Sequence, residues 1–251
     1  MSPHFVRYPF SRRFTLARGA GRRARRVRLL AGAADWRRDL LDRAGGVAVG
    51  IVGTRPWPTT VAWPWPAHRP TELVECLHDE LPGLDIVAAA APRQTGRTRL
   101  SVLGTWHGAD LVIKLGRPGD GIETEAAALR LLADDPLPSI ATPSVVAAGH
   151  LGDGERIAYL ATSALGLDGQ RPAIDEPLYT FEADLAERLR GLPRPSGSRP
   201  DDIPTHGDLA PWNLRRTGRG LALFDWEDAG WRPPGSDLAH YRRTCDELRR
   251  R

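Results

Sequence analysis

One stretch of the chain constrains its fold more than any other, residues 205–227, which read THGDLAPWNLRRTGRGLALFDWE. A short strand at residues 213–216 and an apolar strand at residues 221–224 flank a Thr-Gly-Arg-Gly turn and predict a β-hairpin. Asn213 begins the first strand and Asp225 follows the second. Because the strands of a hairpin run antiparallel, we expect these two side chains to lie at the same end of it.

The polar residues of this stretch are those that phosphoryl transfer requires. In such reactions one carboxylate orients the attacking hydroxyl, while an amide oxygen and a second carboxylate hold magnesium against the nucleotide phosphates. Asp208 suits the first role, and Asn213 and Asp225 offer the hard oxygen ligands that Mg2+ prefers. The alternative is an acidic hairpin whose two aspartates lie on the surface and have no role in catalysis.

The spacing resembles that of the aminoglycoside phosphotransferase and choline kinase-like family. This family carries His-Gly-Asp, an Asn five residues later, an Asp after an apolar strand and then Asp-Leu-Ala, which is found here from Asp237 to Ala239. The resemblance implies an α+β, bilobal protein-kinase-like fold with a small antiparallel-sheet N-lobe and a mainly helical C-lobe. It also implies that Asp208 is catalytic, that Asn213 and Asp225 bind metal, and that His206 and Asp237 give structural support.

Lys114 is the only lysine of the chain, since the other 34 of its 35 basic residues are arginine. In such a background a retained lysine indicates a position that needs a compact ammonium group. Apolar residues around a Gly104–Gly108 turn predict a hairpin whose second strand ends near Lys114. In the family, a lysine at this place holds the α- and β-phosphates of the nucleotide.

Three further nucleotide-binding elements are predicted around Lys114. A helix over residues 123–132 carries Glu125, which by the resemblance pairs with the lysine, although a solvated helix acid is the alternative. Gly96 lies in the segment 94–98 where the family's nucleotide loop falls, and an ordinary turn is the other interpretation. Thr162 and Ser163 end a strand at the expected hinge, whose backbone would meet the purine.

We expect three regions: a basic N-terminal extension at residues 1–85, a nucleotide-binding N-lobe at 86–163 and a short catalytic C-lobe at 164–251. Helices are also predicted at 34–43, 71–81, 176–192 and 238–251, and strands at 99–103, 109–115, 144–148 and 156–162. The segments that build the acceptor pocket in the family are short here, so the sequence does not identify the acceptor molecule.

Composition narrows the class of protein. The longest apolar run is far below the ~18 residues of a membrane span, so we predict no membrane span. The cysteine usage favours a reducing compartment, and we expect the protein to be cytoplasmic. The two cysteines match no metal-ligand spacing and are expected to be free thiols. Up to Arg43 the chain has twelve arginines and three acidic residues. This cluster could bind nucleic acid, or it is a solvated basic arm.

The sequence therefore predicts an Mg2+-dependent phosphotransferase that moves the γ-phosphate of ATP, with GTP as the alternative, to a hydroxyl of a small molecule. Two other hypotheses stay open. One is a nucleotide-binding kinase-like scaffold without catalytic activity. The other is a kinase whose acceptor is a macromolecule, which a trimmed acceptor region would admit.

Overall fold

The structure is a computed structural model that describes residues 5–7, 14–17, 51, 70–90, 99–152, 157–165 and 171–250. The chain divides into two compact units. The first comprises residues 1–120 and 146–164, and the second comprises residues 121–145 and 165–251. None of the helices within the described ranges has the length and hydropathy that a bilayer crossing requires.

Among the residues that the structure describes, the first unit is built on a seven-stranded sheet in the order β1-β2-β3-β4-β5-β8-β7. Neighbouring strands from β1 through β5 to β8 are antiparallel. The strand bounds are β1 (Phe5–Arg7), β2 (Phe14–Ala17), β3 (Asp85–Ala90), β4 (Leu100–Trp106), β5 (Ala109–Gly116), β7 (Val145–Leu151) and β8 (Ile157–Ser163).

Helix α1 (Pro70–Glu80) contributes one apolar face to the core of this unit. Leu73, Val74 and Leu77 recur at helical spacing and are each at most 3% exposed. They belong to one cluster with buried residues of the sheet, among them Val102 and Ile113. Burying a side chain such as leucine stabilises the fold by about 1.5–3 kcal/mol, so this face holds α1 to the sheet.

In its described residues, the second unit contains three helices and two small sheets. Helix α2 spans Ile122–Asp134, α3 spans Phe181–Arg188 and α4 spans Ser236–Arg249. One sheet has the order β6-β12-β11-β9 and the other pairs β10 with β13. The bounds are β6 (Ile140–Ala141), β9 (Arg171–Pro172), β10 (Ile203–Thr205), β11 (Leu214–Thr217), β12 (Gly220–Leu223) and β13 (Gly230–Arg232).

The predicted α+β class, with an antiparallel sheet and a separate set of helices, is confirmed. The helix predicted over residues 176–192 is wrong in extent, because only Phe181–Arg188 is helical. The residues before Phe181 make tertiary contacts instead: the Glu176 N–H donates to the hydroxyl of Tyr241, and the Glu176 carboxylate pairs with Arg216. The apolar pattern beyond α3 reports burial: Leu189 and Leu192 are buried without being helical.

Residues 121–145 are grouped with the second unit, whereas the predicted N-lobe included them. The contacts explain this grouping: Leu131 lies against Gly191, Arg188 donates to the Pro136 carbonyl, and β6 pairs with β12. The predicted extension over residues 1–85 contains β1 and β2, which continue the sheet of the first unit. The helix predicted at 34–43 and the loop around Gly96 lie outside the described residues.

Candidate active site

The His-Gly-Asp segment directly follows β10, which pairs antiparallel with β13 in the register Thr205↔Gly230. His206 is fully buried. Its Nε2 donates to the Phe224 carbonyl at 2.9 Å, so Nδ1 is free to accept, and it accepts the Asp208 N–H at 3.3 Å. The ring also packs on Trp226, with centroids 4.5 Å apart. Both ring nitrogens of His206 are therefore engaged by backbone groups.

Asp237, in the first turn of α4, fixes the backbone of the same loop. Its buried carboxylate accepts the His206 N–H at 2.6 Å and the Gly207 N–H at 2.9 Å, one on each oxygen. Gly207 has a φ of +85°, and a Cβ at this position would lie 1.9 Å from the carbonyl oxygen of Asp228. A side chain does not fit there, so the glycine permits this close approach of two backbone segments.

Asn213 holds the other side of the loop. Its Nδ2 donates to the Asp208 carbonyl at 2.9 Å and to Oδ2 of the Asp208 side chain at 3.0 Å. The amide nitrogen is therefore used on Asp208, and the amide oxygen is the atom with which Asn213 could bind a cation. The N–H groups of Asn213 and Leu214 both bond to the Ala210 carbonyl, which forms the turn that presents this side chain.

The hairpin of β11 and β12 places Asn213 and Asp225 at its same end. Leu214 lies opposite Leu223, and the Phe224 N–H donates to the Asn213 carbonyl at 3.0 Å. Asp225 has a φ of +66°, in the left-handed region that Asp adopts more readily than most residues. The turn that follows the strand therefore departs from extended geometry at the predicted metal ligand itself.

Three carboxylates converge beyond this hairpin. Oxygen atoms of Glu125, Asp225 and Glu227 all lie within 4.8 Å of one another. Glu125 is buried on α2, and the start of α2 is close to Glu227, since a Cβ on Gly121 would lie 2.5 Å from the Glu227 carbonyl oxygen. This all-oxygen set suits Mg2+, which binds hard oxygen ligands.

Burial raises the pKa of the Asp208 carboxyl above its ordinary value. The negative charge of Asp225 acts in the same direction, while His240, His206 and the Asn213 amide favour the ionised form less strongly than burial opposes it. Of these groups, His240 has its Nε2 3.0 Å from Oδ1 of Asp208. The sequence analysis missed His240, although its place one turn after Asp237 on the same helix was a usable signal.

The remaining predicted residues lie in the first unit. Lys114 is on β5, opposite Ser101 of β4 and Leu160 of β8. The Thr162 hydroxyl donates to the Val112 carbonyl at 3.2 Å, and Ser163 ends β8. The pairing of Lys114 with Glu125 stays a prediction, as does the nucleotide role of Gly96, which lies outside the described residues.

The model of the phosphotransferase enzyme family matches residues 168–251. This segment contains Asp208, Asn213, Asp225 and Asp237, so the resemblance predicted from these residues is confirmed. The similarity to this family is thus shown for the carboxy-terminal third of the chain. No curated protein matches the sequence.

Several solved structures are also similar. Amicoumacin kinase hAmiN in complex with AMP-PNP, Ca2+ and Ami is 12% identical with a TM-score of 0.45, and the match covers 59% of this chain and 61% of that chain. Aminoglycoside-3'-phosphotransferase of type VIII is 23% identical with a TM-score of 0.44, over 68% and 81% of the two chains. The GDP and kanamycin complex of APH(2")-IIia is 15% identical with a TM-score of 0.47, over 69% and 78%.

Proposed function

We propose that the protein is an Mg2+-dependent phosphotransferase that moves the γ-phosphate of ATP to a hydroxyl group of a small molecule. The observation that supports this most is the joint placement of Asp208, Asn213 and Asp225 within the family-matched segment: Asn213 donates to the Asp208 carboxylate and lies at the same end of the β11–β12 hairpin as Asp225. The three side chains offer, in adjacent positions, a group for the acceptor hydroxyl and two oxygen ligands for a metal.

Asp208 is the group that meets the acceptor. Its carboxylate accepts a hydrogen bond from the acceptor hydroxyl and orients the oxygen toward the γ-phosphorus. The new O–P bond forms as the bond between the γ-phosphorus and the β,γ-bridging oxygen breaks, and ADP leaves. The hydroxyl proton passes to Asp208 and then to solvent. His206 and Asp237 support this geometry by holding the loop backbone.

Asn213 and Asp225 would hold the metal, with Glu125 and Glu227 close enough to share it. Mg2+ would supply charge neutralisation along the β- and γ-phosphates. Lys114 binds the α- and β-phosphates in this proposal, the backbone around Thr162 and Ser163 receives the base, and Gly96 belongs to the loop over the phosphates. The proposed place of action is the cytoplasm, where ATP is available and the thiols of Cys76 and Cys245, which form no disulfide, stay reduced.

The test is transfer of labelled γ-phosphate from ATP or GTP, with Mg2+, to a panel of aminoglycosides, amino alcohols, sugars and nucleosides. Asp208→Asn and Asp225→Ala should each lower transfer at least ~100-fold, and Asp208→Asn should keep most of the nucleotide affinity. Asp201→Ala, which changes an exposed aspartate of the same unit, is the matched control and should transfer normally.

The outcomes separate the rival functions. Label on one acceptor that disappears in both variants supports the proposal and identifies the substrate class. Metal-dependent nucleotide binding without transfer to any small molecule, or transfer only to a protein, would replace it with the scaffold or with the macromolecular acceptor. Undiminished transfer by Asp208→Asn would refute the assignment of Asp208.

A further inference from the structure

His240 lies on α4 one turn after Asp237 and faces the loop that Asp237 holds. Its Nε2 is 3.0 Å from Oδ1 of Asp208. On the other carboxylate oxygen, Nδ2 of Asn213 is 3.0 Å from Oδ2. Each oxygen of the Asp208 carboxylate therefore has one side-chain nitrogen beside it.

The position of Arg243 determines which ring nitrogen of His240 carries the proton. Nη2 of Arg243 is 2.6 Å from Nδ1 of His240. A guanidinium group only donates hydrogen bonds, so Nδ1 must be the accepting, unprotonated nitrogen. The neutral ring then carries its proton on Nε2, which is the atom that faces Asp208.

The Nε2–H of His240 has no other hydrogen-bond partner in the described part of the chain. Its distance to Oδ1 is that of a hydrogen bond, but the angle in the structure is not aligned, so the contact is a close polar approach. A buried donor without a partner carries a free-energy cost. Alignment with Oδ1, the nearest acceptor, removes that cost, so a hydrogen bond between the two groups is favoured.

Helix α4 does not depend on His240 for its placement. Asp237 accepts two backbone N–H groups of the catalytic loop. The Tyr241 hydroxyl accepts the Glu176 N–H and donates to the Ala173 carbonyl. The Glu182 carboxylate also accepts two N–H groups at the start of the helix. A purely architectural role for His240 would therefore add little to these contacts.

We propose that His240 is a positioning residue for the reaction, which holds Oδ1 of Asp208 through Nε2–H while Asn213 holds Oδ2. This inference rests on the proposed function, because it assigns a role in orienting the group that meets the acceptor. With both oxygens held, the carboxylate plane is fixed, and one of the two remaining lone pairs is directed to the acceptor hydroxyl. Arg243 acts one step further out, by keeping the proton on Nε2.

Two conservative variants test this geometry. The amide nitrogen of glutamine lies as many bonds from Cβ as Nε2 of histidine does, whereas that of asparagine matches Nδ1. His240→Ala and His240→Asn should lower kcat about 10- to 100-fold with the KM for ATP within about twofold. His240→Gln should recover most of that loss. Arg242→Ala, an exposed neighbour on the same helix, is the control and should retain full activity.

A second readout does not need an acceptor. Long-range 1H–15N spectra of the imidazoles should show His240 protonated on Nε2 and bare on Nδ1, and Asp208→Asn should shift the Nε2 resonance. An Nδ1-protonated ring, an unmoved resonance, or equal activity of the glutamine and asparagine variants would overturn the inference. Absence of transfer by the unmodified protein, with the expected spectra, would instead count against the proposed function alone.

Discussion

Replacing Gly207 with alanine tests the close approach that shapes the catalytic loop. At a φ of +85°, any residue with a Cβ pays about 1–2 kcal/mol for left-handed geometry. The added Cβ would also lie 1.9 Å from the Asp228 carbonyl oxygen, more than 1 Å inside the 3.0 Å that real Cβ atoms observe. Relieving such an overlap by moving backbone costs a further ~1–3 kcal/mol. The free energy of unfolding should therefore fall by about 2–5 kcal/mol.

Gly235 provides the matched control for this substitution. It has the same φ of +85°, but a Cβ there would meet no atom within 4 Å. Gly235→Ala should cost only the backbone part, about 1–2 kcal/mol. Urea denaturation of the two variants beside the unmodified protein isolates the contribution of the overlap with Asp228.

Activity gives the second comparison. Relief of the overlap moves the loop, and a displacement of about 1 Å at a positioned group can cost ~100-fold in rate. We expect Gly207→Ala to lose phosphate transfer to that extent, and Gly235→Ala to stay within about threefold of the unmodified protein. Equal stability and equal transfer of the two variants would refute the close approach of Gly207 to Asp228.

Three other predictions concern the same unit. Asp237→Asn leaves one of the two bonded loop N–H groups facing an NH2 group, so stability should fall by about 1–3 kcal/mol in urea titration and transfer should fall with it. Because burial raises the pKa of Asp208 and transfer requires its ionised form, kcat/KM should rise with pH through an apparent pKa above the ordinary aspartate value of about 4. Because the folded state holds the Asp208 proton more tightly than the unfolded state does, the unfolding free energy should fall as pH rises through the raised pKa. The Asp208→Asn variant should lose this pH dependence of stability. Tyr241→Phe removes the hydroxyl that joins the Glu176 N–H to the Ala173 carbonyl, which should cost about 1–3 kcal/mol and lower the Tm by roughly 2–4 °C per kcal/mol.

The hairpin end of the candidate site could be predicted because its residues are close in the sequence. Asn213 follows Asp208 by five positions, and a short turn returns the chain to Asp225. Turn chemistry and strand alternation are local signals, so they are sufficient to predict that these side chains lie at one end of the hairpin. The observed bond between Phe224 and Asn213 is the contact expected from that register.

Other parts of the site depend on tertiary packing that no local pattern encodes. Glu125 reaches Asp225 from a helix about a hundred residues earlier, and His240 reaches Asp208 only because α4 presents that face to the loop. The helix α3 shows the converse: the apolar spacing of Leu178, Leu189 and Leu192 indicated burial correctly but not helical structure. Strand β2 was also missed, since its partner in the sheet, β3, lies more than seventy residues further along the chain.

Both compact units are discontinuous in the sequence, and this has a consequence for synthesis and for truncation. Strand β5 gains β8 as its neighbour over six residue pairs, from Leu111↔Ser163 to Gly116↔Ala158. A nascent chain that has emerged only as far as α2 carries β5 with that side unpaired, and an unpaired apolar strand edge invites association with other chains. A fragment that stops at residue 120 should therefore aggregate, whereas one extended to residue 164 can close its sheet.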